Sequence, residues 1–214
     1  MQEPRRSLDD VTRLRATAEF FGERAAGWDA KFGDDMPAYR AAVARADYPV
    51  GSVVADLGCG TGRALPALCE AVGPAGRVLG VEVTLEMLAE VRRAGRDRYA
   101  HLLLTDALAL PLPDATLGGI FAAGLLNHVP EADAGLRELA RATRPGGRLA
   151  IFHPTGRRAL AARHGHELRG DEPLAEGPLR AALAASGWTP VVYDDAVDHF
   201  FALAHRVDPI SASD

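Results

Sequence analysis

From Val53 onward the hydrophobic pattern alternates between two periods. VVADL (53–57) is a short apolar run, the pattern of a buried strand. GRALPALCEAV (62–72) then places Leu65, Leu68, Cys69 and Val72 at i, i+3, i+4 and i+7, the stripe of a helix packed on one face. Pro66 is compatible with that helix only in its first turn, where its missing N–H costs nothing. RVLGVEV (77–83) predicts a second strand, and TLEMLAEVRRAG (84–95) a second helix with Thr84 as N-cap and Gly95 as its stop. YAHLLLT (99–105) and LGGIFAAG (117–124) predict further strands, EADAGLRELARAT (131–143) a helix, and RLAIFH (148–153) a fifth strand. Strands alternating with amphipathic helices give right-handed crossovers and a parallel sheet covered on both faces.

The last forty residues break this rhythm. PLAEGPLRAALAASG (173–187) predicts a helix stopped by Gly187. WTPVVYDD and DHFFALAHR follow with only a few residues between them, too short a link for a crossover, so these two strands must be antiparallel neighbours. Ahead of Val53, SLDDVTRLRATAEFF predicts a helix, and FGERAAGWDAKFGDDMPAYR reads as an irregular aromatic segment.

Composition narrows the function classes. A chain of 214 residues buries roughly 70% of its unfolded surface and needs no disulfide or metal staple. The formal net charge of -5 offers no footprint for a nucleic-acid backbone. Cys59 and Cys69 have no zinc spacing and read as reduced thiols of a cytoplasmic protein. The first fifteen residues are too polar for a signal peptide, and no apolar run approaches the ~18 residues of a membrane span. No metal is expected: His164 and His166 in AARHGHELRGDE lack a third ligand nearby.

Candidate chemistry concentrates in DLGCGTGR (56–63), where Gly58, Gly60 and Gly62 alternate directly after the first strand. Such a turn tolerates positive φ and lets a ligand approach the backbone closely. A dinucleotide fingerprint needs a glycine or alanine where this chain has Arg63, and a phosphate-binding loop needs a Gly-Lys-Ser/Thr ending that is absent. The string Asp56-Leu57-Gly58-Cys59-Gly60-Thr61-Gly62 resembles motif I of the class I S-adenosylmethionine-dependent methyltransferases. Glu82 in LGVEVT, Thr105-Asp106-Ala107, GLLNHVPE (124–131) and ELARATRPGGRLAIF (138–152) resemble that family's later segments, in order.

The resemblance implies an α/β fold: a doubly wound, Rossmann-like, seven-stranded sheet, mostly parallel, with an antiparallel C-terminal hairpin strand and an N-terminal helical lid. It divides the chain into a lid segment, 1–50, and a cofactor-binding domain, 51–214. It implies S-adenosyl-L-methionine as cofactor, with Asp56, Gly58, Cys59 and Gly60 at the methionine end and Glu82 on the ribose hydroxyls. Val83, Asp106, Ala107 and Ala123 complete the expected lining. Gly62 is open to a second reading, helix–strand packing. A small-molecule acceptor is expected at the ends of strands 4 and 5, where His153 and His128 are the candidate bases, though His128 also fits a loop-orienting role. Partners are then a small-molecule methyl acceptor, no nucleic acid and no membrane, with the chain a monomer or homodimer. A non-catalytic cofactor sensor, an enzyme using the same cofactor for other chemistry, and a dinucleotide oxidoreductase stay open as alternatives.

Overall fold

The computed structural model describes residues 8–125 and 132–207. Seven strands form one sheet: β1 (Val53–Leu57), β2 (Arg77–Glu82), β3 (His101–Leu104), β4 (Leu117–Ala123), β5 (Thr143–His153), β6 (Trp188–Asp195) and β7 (Phe200–Arg206). Their order is β3-β2-β1-β4-β5-β7-β6. β1 to β5 run parallel, and β7 is antiparallel to both β5 and β6. The short link before β7 forces this reversal, as expected.

The strands read as near-continuous apolar runs because helices cover both faces. Successive residues of a strand point to opposite faces, so Phe121 and Phe152 serve one core while Ile120 and Ile151 serve the other. The first core is closed by α3 (Met36–Ala46), α4 (Leu65–Val72) and α5 (Leu85–Arg93), through Ala42, Val43, Leu65, Leu68, Leu88 and Val91. The second is closed by α6 (Ala132–Ala142) and α8 (Glu176–Ala185), through Leu136, Leu139, Leu179 and Leu183. Each of these valines and leucines contributes on the order of 1.5–3 kcal/mol when fully buried. Trp188 is buried in the second core, and its indole N–H donates to the carbonyl of Leu136 at 3.0 Å, so burial leaves no donor unsatisfied.

The structure departs from the sequence expectations where local signals are weakest. Residues 21–40 are helical rather than irregular: α1 (Leu8–Gly22) leads to a 3-10 turn at Ala25–Gly27, then α2 (Trp28–Phe32) and α3. α3 belongs to the core, with Ala42, Val43 and Ala46 buried, a stripe of residues too small to stand out as periodic hydrophobics. A 3-10 turn at Arg96–Tyr99 takes up the first part of the expected third strand. β5 begins at Thr143 rather than 148, because Thr143 already pairs with Leu117 before a register shift in which Gly146 takes φ +72°. A short helix, α7 (Arg157–Arg163), follows β5 where the hydrophobic pattern predicted no element. No helix among the described residues is long and apolar enough to cross a membrane.

Candidate active site

In this strand order the crossovers diverge between β1 and β4, which opens a crevice at the carboxyl ends of the strands. The crevice is a cavity of about 580 Å³. Its floor is made by the ends of β1 to β5, its roof by α1 and α2, and one side by α7. Asp56, Gly58, Cys59, Gly60, Glu82, Val83, Asp106, Ala107, Ala123 and His153 all line it. His128 lies outside the described residues.

The three glycines after β1 all have positive φ, yet their surroundings differ. A Cβ on Gly60 would meet no protein atom within 4 Å, because the space over it is the cleft. A Cβ on Gly62 would lie 2.8 Å from Leu65 Cδ1 and 3.2 Å from Val91, so this glycine serves close packing of the turn against α4 and α5. A Cβ on Gly58 would lie 3.2 Å from Leu125 Cδ1. Between them Cys59 N–H donates to the Val81 carbonyl at 2.9 Å, tying the turn to β2, and its side chain is buried in the first core. Burial, with Asp56 and Glu82 nearby, pushes the Cys59 thiol well above the usual range, which makes it a poor nucleophile.

Glu82 is the polar hub. Its Oε2 accepts from Gly60 N–H at 2.9 Å, and its Oε1 accepts from Val83 N–H at 2.9 Å and Thr84 N–H at 3.0 Å. One side chain at the end of β2 therefore holds both the glycine turn and the start of α5. A carboxylate has about four acceptor sites, so one remains, on Oε2. Asp106 instead accepts from Leu108 N–H at 2.9 Å and shapes the turn after β3.

Asp56 is buried at 2% exposure, and its Oδ2 has no hydrogen-bond partner. Burial, aided by the charge of Glu82, pushes its pKa up to about 8. The folded protein therefore holds a proton on Asp56 that the unfolded chain has already released above pH ~4. Proton binding to the folded state stabilises it, so this contribution is present at low pH and is lost as pH rises from about 4 to about 8. Asp56→Asn keeps the shape of the protonated acid without the titration. It is expected to melt higher than the parent at pH 8.5, with the gain shrinking toward pH 4, in ligand-free thermal scans. A difference that is constant across this range would count against the buried, protonated carboxyl.

A network missed in the sequence pins the roof to the glycine turn. Thr61 Oγ1 donates to Asp29 Oδ1 at 2.5 Å, and Arg96 donates to Asp29 Oδ2 at 2.7 Å and to the Thr61 carbonyl at 2.9 Å. Arg63, buried at 6%, pairs with Asp35 at 3.0 Å and donates to the Gly33 carbonyl. Burial opposes the Asp29 charge, but the hydrogen bonds from Thr61 and Arg96 outweigh it and hold its carboxyl below the usual range. Burial pushes Asp35 the other way despite Arg63. Arg63 stands where a dinucleotide fingerprint has its third small residue, and that replacement was the one sequence signal pointing to this network.

At the far end of the floor His153 closes β5. Its Nδ1 lies 2.9 Å from the Thr155 carbonyl. A carbonyl can only accept, so Nδ1 carries a proton, and in the neutral ring the lone pair is therefore on Nε2. His164 and His166 line the rim beyond α7, and no metal-holding group of three acids, histidines or cysteines occurs among the described residues.

Comparison with known proteins agrees with this geometry. A family model described as a methyltransferase domain matches residues 55–151. An arsenite methyltransferase of Aquipseudomonas alcaligenes is 37% identical over 144 residues, covering 62% of this chain and 40% of that protein. The ubiquinone/menaquinone biosynthesis C-methyltransferase UbiE of Burkholderia ambifaria is 31% identical over 158 residues, covering 68% and 63%. The chain thus spans less than two thirds of the length of the curated relatives it matches. Among solved structures, a SAM-dependent methyltransferase from Aquifex aeolicus superposes with a TM-score of 0.63 at 24% identity, over 79% of this chain and 89% of the other.

Proposed function

We propose that this protein transfers the methyl group of S-adenosylmethionine to a small molecule, a reading supported by the match of residues 55–151 to a methyltransferase domain and by the fold shared with a SAM-dependent methyltransferase. The observation that carries the proposal is the cradle at the end of β1. Gly60 leaves open the space that a side chain would fill, and beside it stand an acceptor site on Glu82 and the orphaned carboxyl oxygen of Asp56. These features suit a ligand that brings hydroxyl donors and a cationic group. When bound, S-adenosylmethionine supplies an electrophilic methyl on a positively charged sulfur. Glu82 would accept a ribose hydroxyl on Oε2, and Asp56 would hold the cationic amino-acid end, where its charged form would become favourable. Asp106, Ala107, Val83 and Ala123 wall the remaining length.

The chain's own part in the transfer is placement. Holding nucleophile and methyl in line supplies several kcal/mol without a covalent intermediate. His153, on the β5 side of the cleft, takes the acceptor's proton at Nε2 where the acceptor is a hydroxyl or phenol. The relatives' names include arsenite and quinone acceptors, which supports a small-molecule substrate. The acidic net charge supports a site that is not for nucleic acid. We place the enzyme in the cytoplasm, as monomer or homodimer.

The decisive experiment is incubation with isotope-labelled S-adenosylmethionine and acceptor panels, following S-adenosylhomocysteine formation. Binding without turnover across broad panels would favour a sensor of the cofactor instead.

The segment from Phe20 to Tyr39 acts as a lid, with the Asp29 and Arg63 contacts as its clasp. Hydrogen exchange is expected to slow across these residues when S-adenosylhomocysteine binds. Asp29→Asn should raise exchange there in both states. Equal protection with and without ligand would make the segment fixed core.

A further inference from the structure

We infer that the methyl acceptor is an amphipathic anion: a small apolar body carrying a carboxylate or phosphate. The inference rests on the methyl-transfer reading and assigns the substrate class of the same cleft. Its evidence is the way charge is divided around the cavity. The described acids that line it stand at or just past the carboxyl ends of the first three strands, as Asp56, Glu82 and Asp106, or are taken up by Arg63, as Asp35 is. Among the described residues, every ionisable lining residue from the end of β5 onward is basic: His153, then Arg163, His164 and His166 from α7 and the turn after it. The roof adds Arg13 and Lys31, and Lys31 is the only lysine of the chain. In a protein of net charge -5 this half of the cleft runs against the overall balance.

The two ends of α7 make the contrast sharp. Arg157 at its start is held on all sides, by Glu172 at 2.8 Å, by Asp195 at 3.3 Å and by the Tyr193 hydroxyl at 3.0 Å. That arginine is a structural clamp. Arg163 at the other end has no hydrogen-bond or ion-pair partner among the described residues, yet it lines the cavity. In the following loop Glu172 is engaged by Arg157 and by the Arg169 N–H at 3.0 Å, Asp171 pairs with Arg169 at 3.3 Å, and no carboxylate among the described residues forms an ion pair with Arg163. A guanidinium is charged at any working pH and offers a planar fork suited to carboxylate or phosphate oxygens.

Between this basic rim and the cofactor end, the walls are apolar. Leu14, Phe21, Trp28, Leu125 and Leu160 line the cavity, and Phe21 and Trp28 meet edge to face at 5.5 Å. Such walls take an apolar or aromatic body and exclude water from it, while the exposed rim supplies the charge that an anionic head meets. The acceptor therefore enters body first, with its charge held at the α7 side.

The test uses the full chain with and without saturating S-adenosylhomocysteine, and calorimetric titration with 2-naphthoate, 2-naphthyl phosphate and neutral 2-naphthamide. At least one anion is expected to bind about tenfold or more tighter than the amide, with the preference shrinking in high salt. The tighter of the two anions distinguishes a carboxylate from a phosphate acceptor. Arg163→Gln, at an exposed position that leaves the fold intact, should cut the preference severalfold while S-adenosylhomocysteine affinity stays constant. Equal binding of charged and neutral probes, no anion binding at all, or an unchanged preference in Arg163→Gln would overturn the inference. Failure of S-adenosylhomocysteine itself to bind would instead overturn the methyl-transfer reading, and the titrations without it would still measure the anion preference.

Discussion

Glu82→Gln is expected to weaken S-adenosylhomocysteine binding by about a hundredfold and to lower the melting temperature by several degrees. The substitution keeps size and shape and changes only hydrogen-bonding character. In the parent, three backbone N–H groups donate to the carboxylate, from Gly60, Val83 and Thr84. Glutamine has one acceptor oxygen. If that oxygen stays with Val83 and Thr84, the amide NH2 faces the Gly60 N–H, donor against donor, at a side chain only 7% exposed. An unsatisfied buried donor costs on the order of 1–3 kcal/mol, and each kcal/mol shifts the melting temperature by about 2–4 °C in a domain of this size. Binding loses twice over. The proposed ribose contact at Oε2 disappears, and the glycine turn that cradles the ligand loses its tether. The lost ribose hydrogen bond, charge-assisted and contributing about 1.5–3 kcal/mol, comes to roughly one to two decades of affinity. Calorimetry and thermal melting on the same sample separate the two tasks. Lower stability with unchanged affinity would leave Glu82 a purely structural residue.

Why this residue could be found in the sequence, and its second task could not, is instructive. An acid directly after VLGV stands at the carboxyl end of a strand, and that position alone puts it at the crevice edge of a parallel sheet. The sheet itself was legible because strand runs and helix stripes differ in period, and because helices such as α4 keep apolar residues at i, i+3, i+4 and i+7. What Glu82 holds depends on the fold of the turn 22 residues earlier, which no local pattern encodes. The same limit applies to the glycines. Gly60 and Gly62 are the same letter two positions apart, yet one faces open cleft and the other is pressed between Leu65 and Val91.

The segment ahead of β1 was least legible. α2 has five residues, too few for an amphipathic stripe, and α3 buries mostly alanine. The contacts that fix this segment are ion pairs across long sequence separations, Asp29 with Arg96 and Arg63 with Asp35. Charged residues read individually look like solvated surface, and only the folded chain shows that Arg63 is buried among them.

His153→Gln is expected to lower the rate of methyl transfer about 10²–10⁴-fold with any acceptor that needs deprotonation, while S-adenosylhomocysteine affinity stays nearly constant. The expectation rests on how the ring is held. The Thr155 carbonyl accepts from Nδ1 and so selects the tautomer with its lone pair on Nε2, which is the form a general base requires. The loop that carries Thr155 is itself braced. Any side chain at Gly156 would strike the Ala196 carbonyl, and Arg157 ties the next residue to Asp195 and Glu172. The C-terminal strands thus do more than complete the sheet: they press on the turn that sets the histidine's proton. Glutamine can still donate to the Thr155 carbonyl, but its amide has no titratable lone pair, so the acidic limb of the pH–rate profile should vanish along with most of the rate. A smaller loss with that limb intact would mean that His153 only orients the acceptor. Unchanged turnover would remove both roles and turn the search for a base to His128.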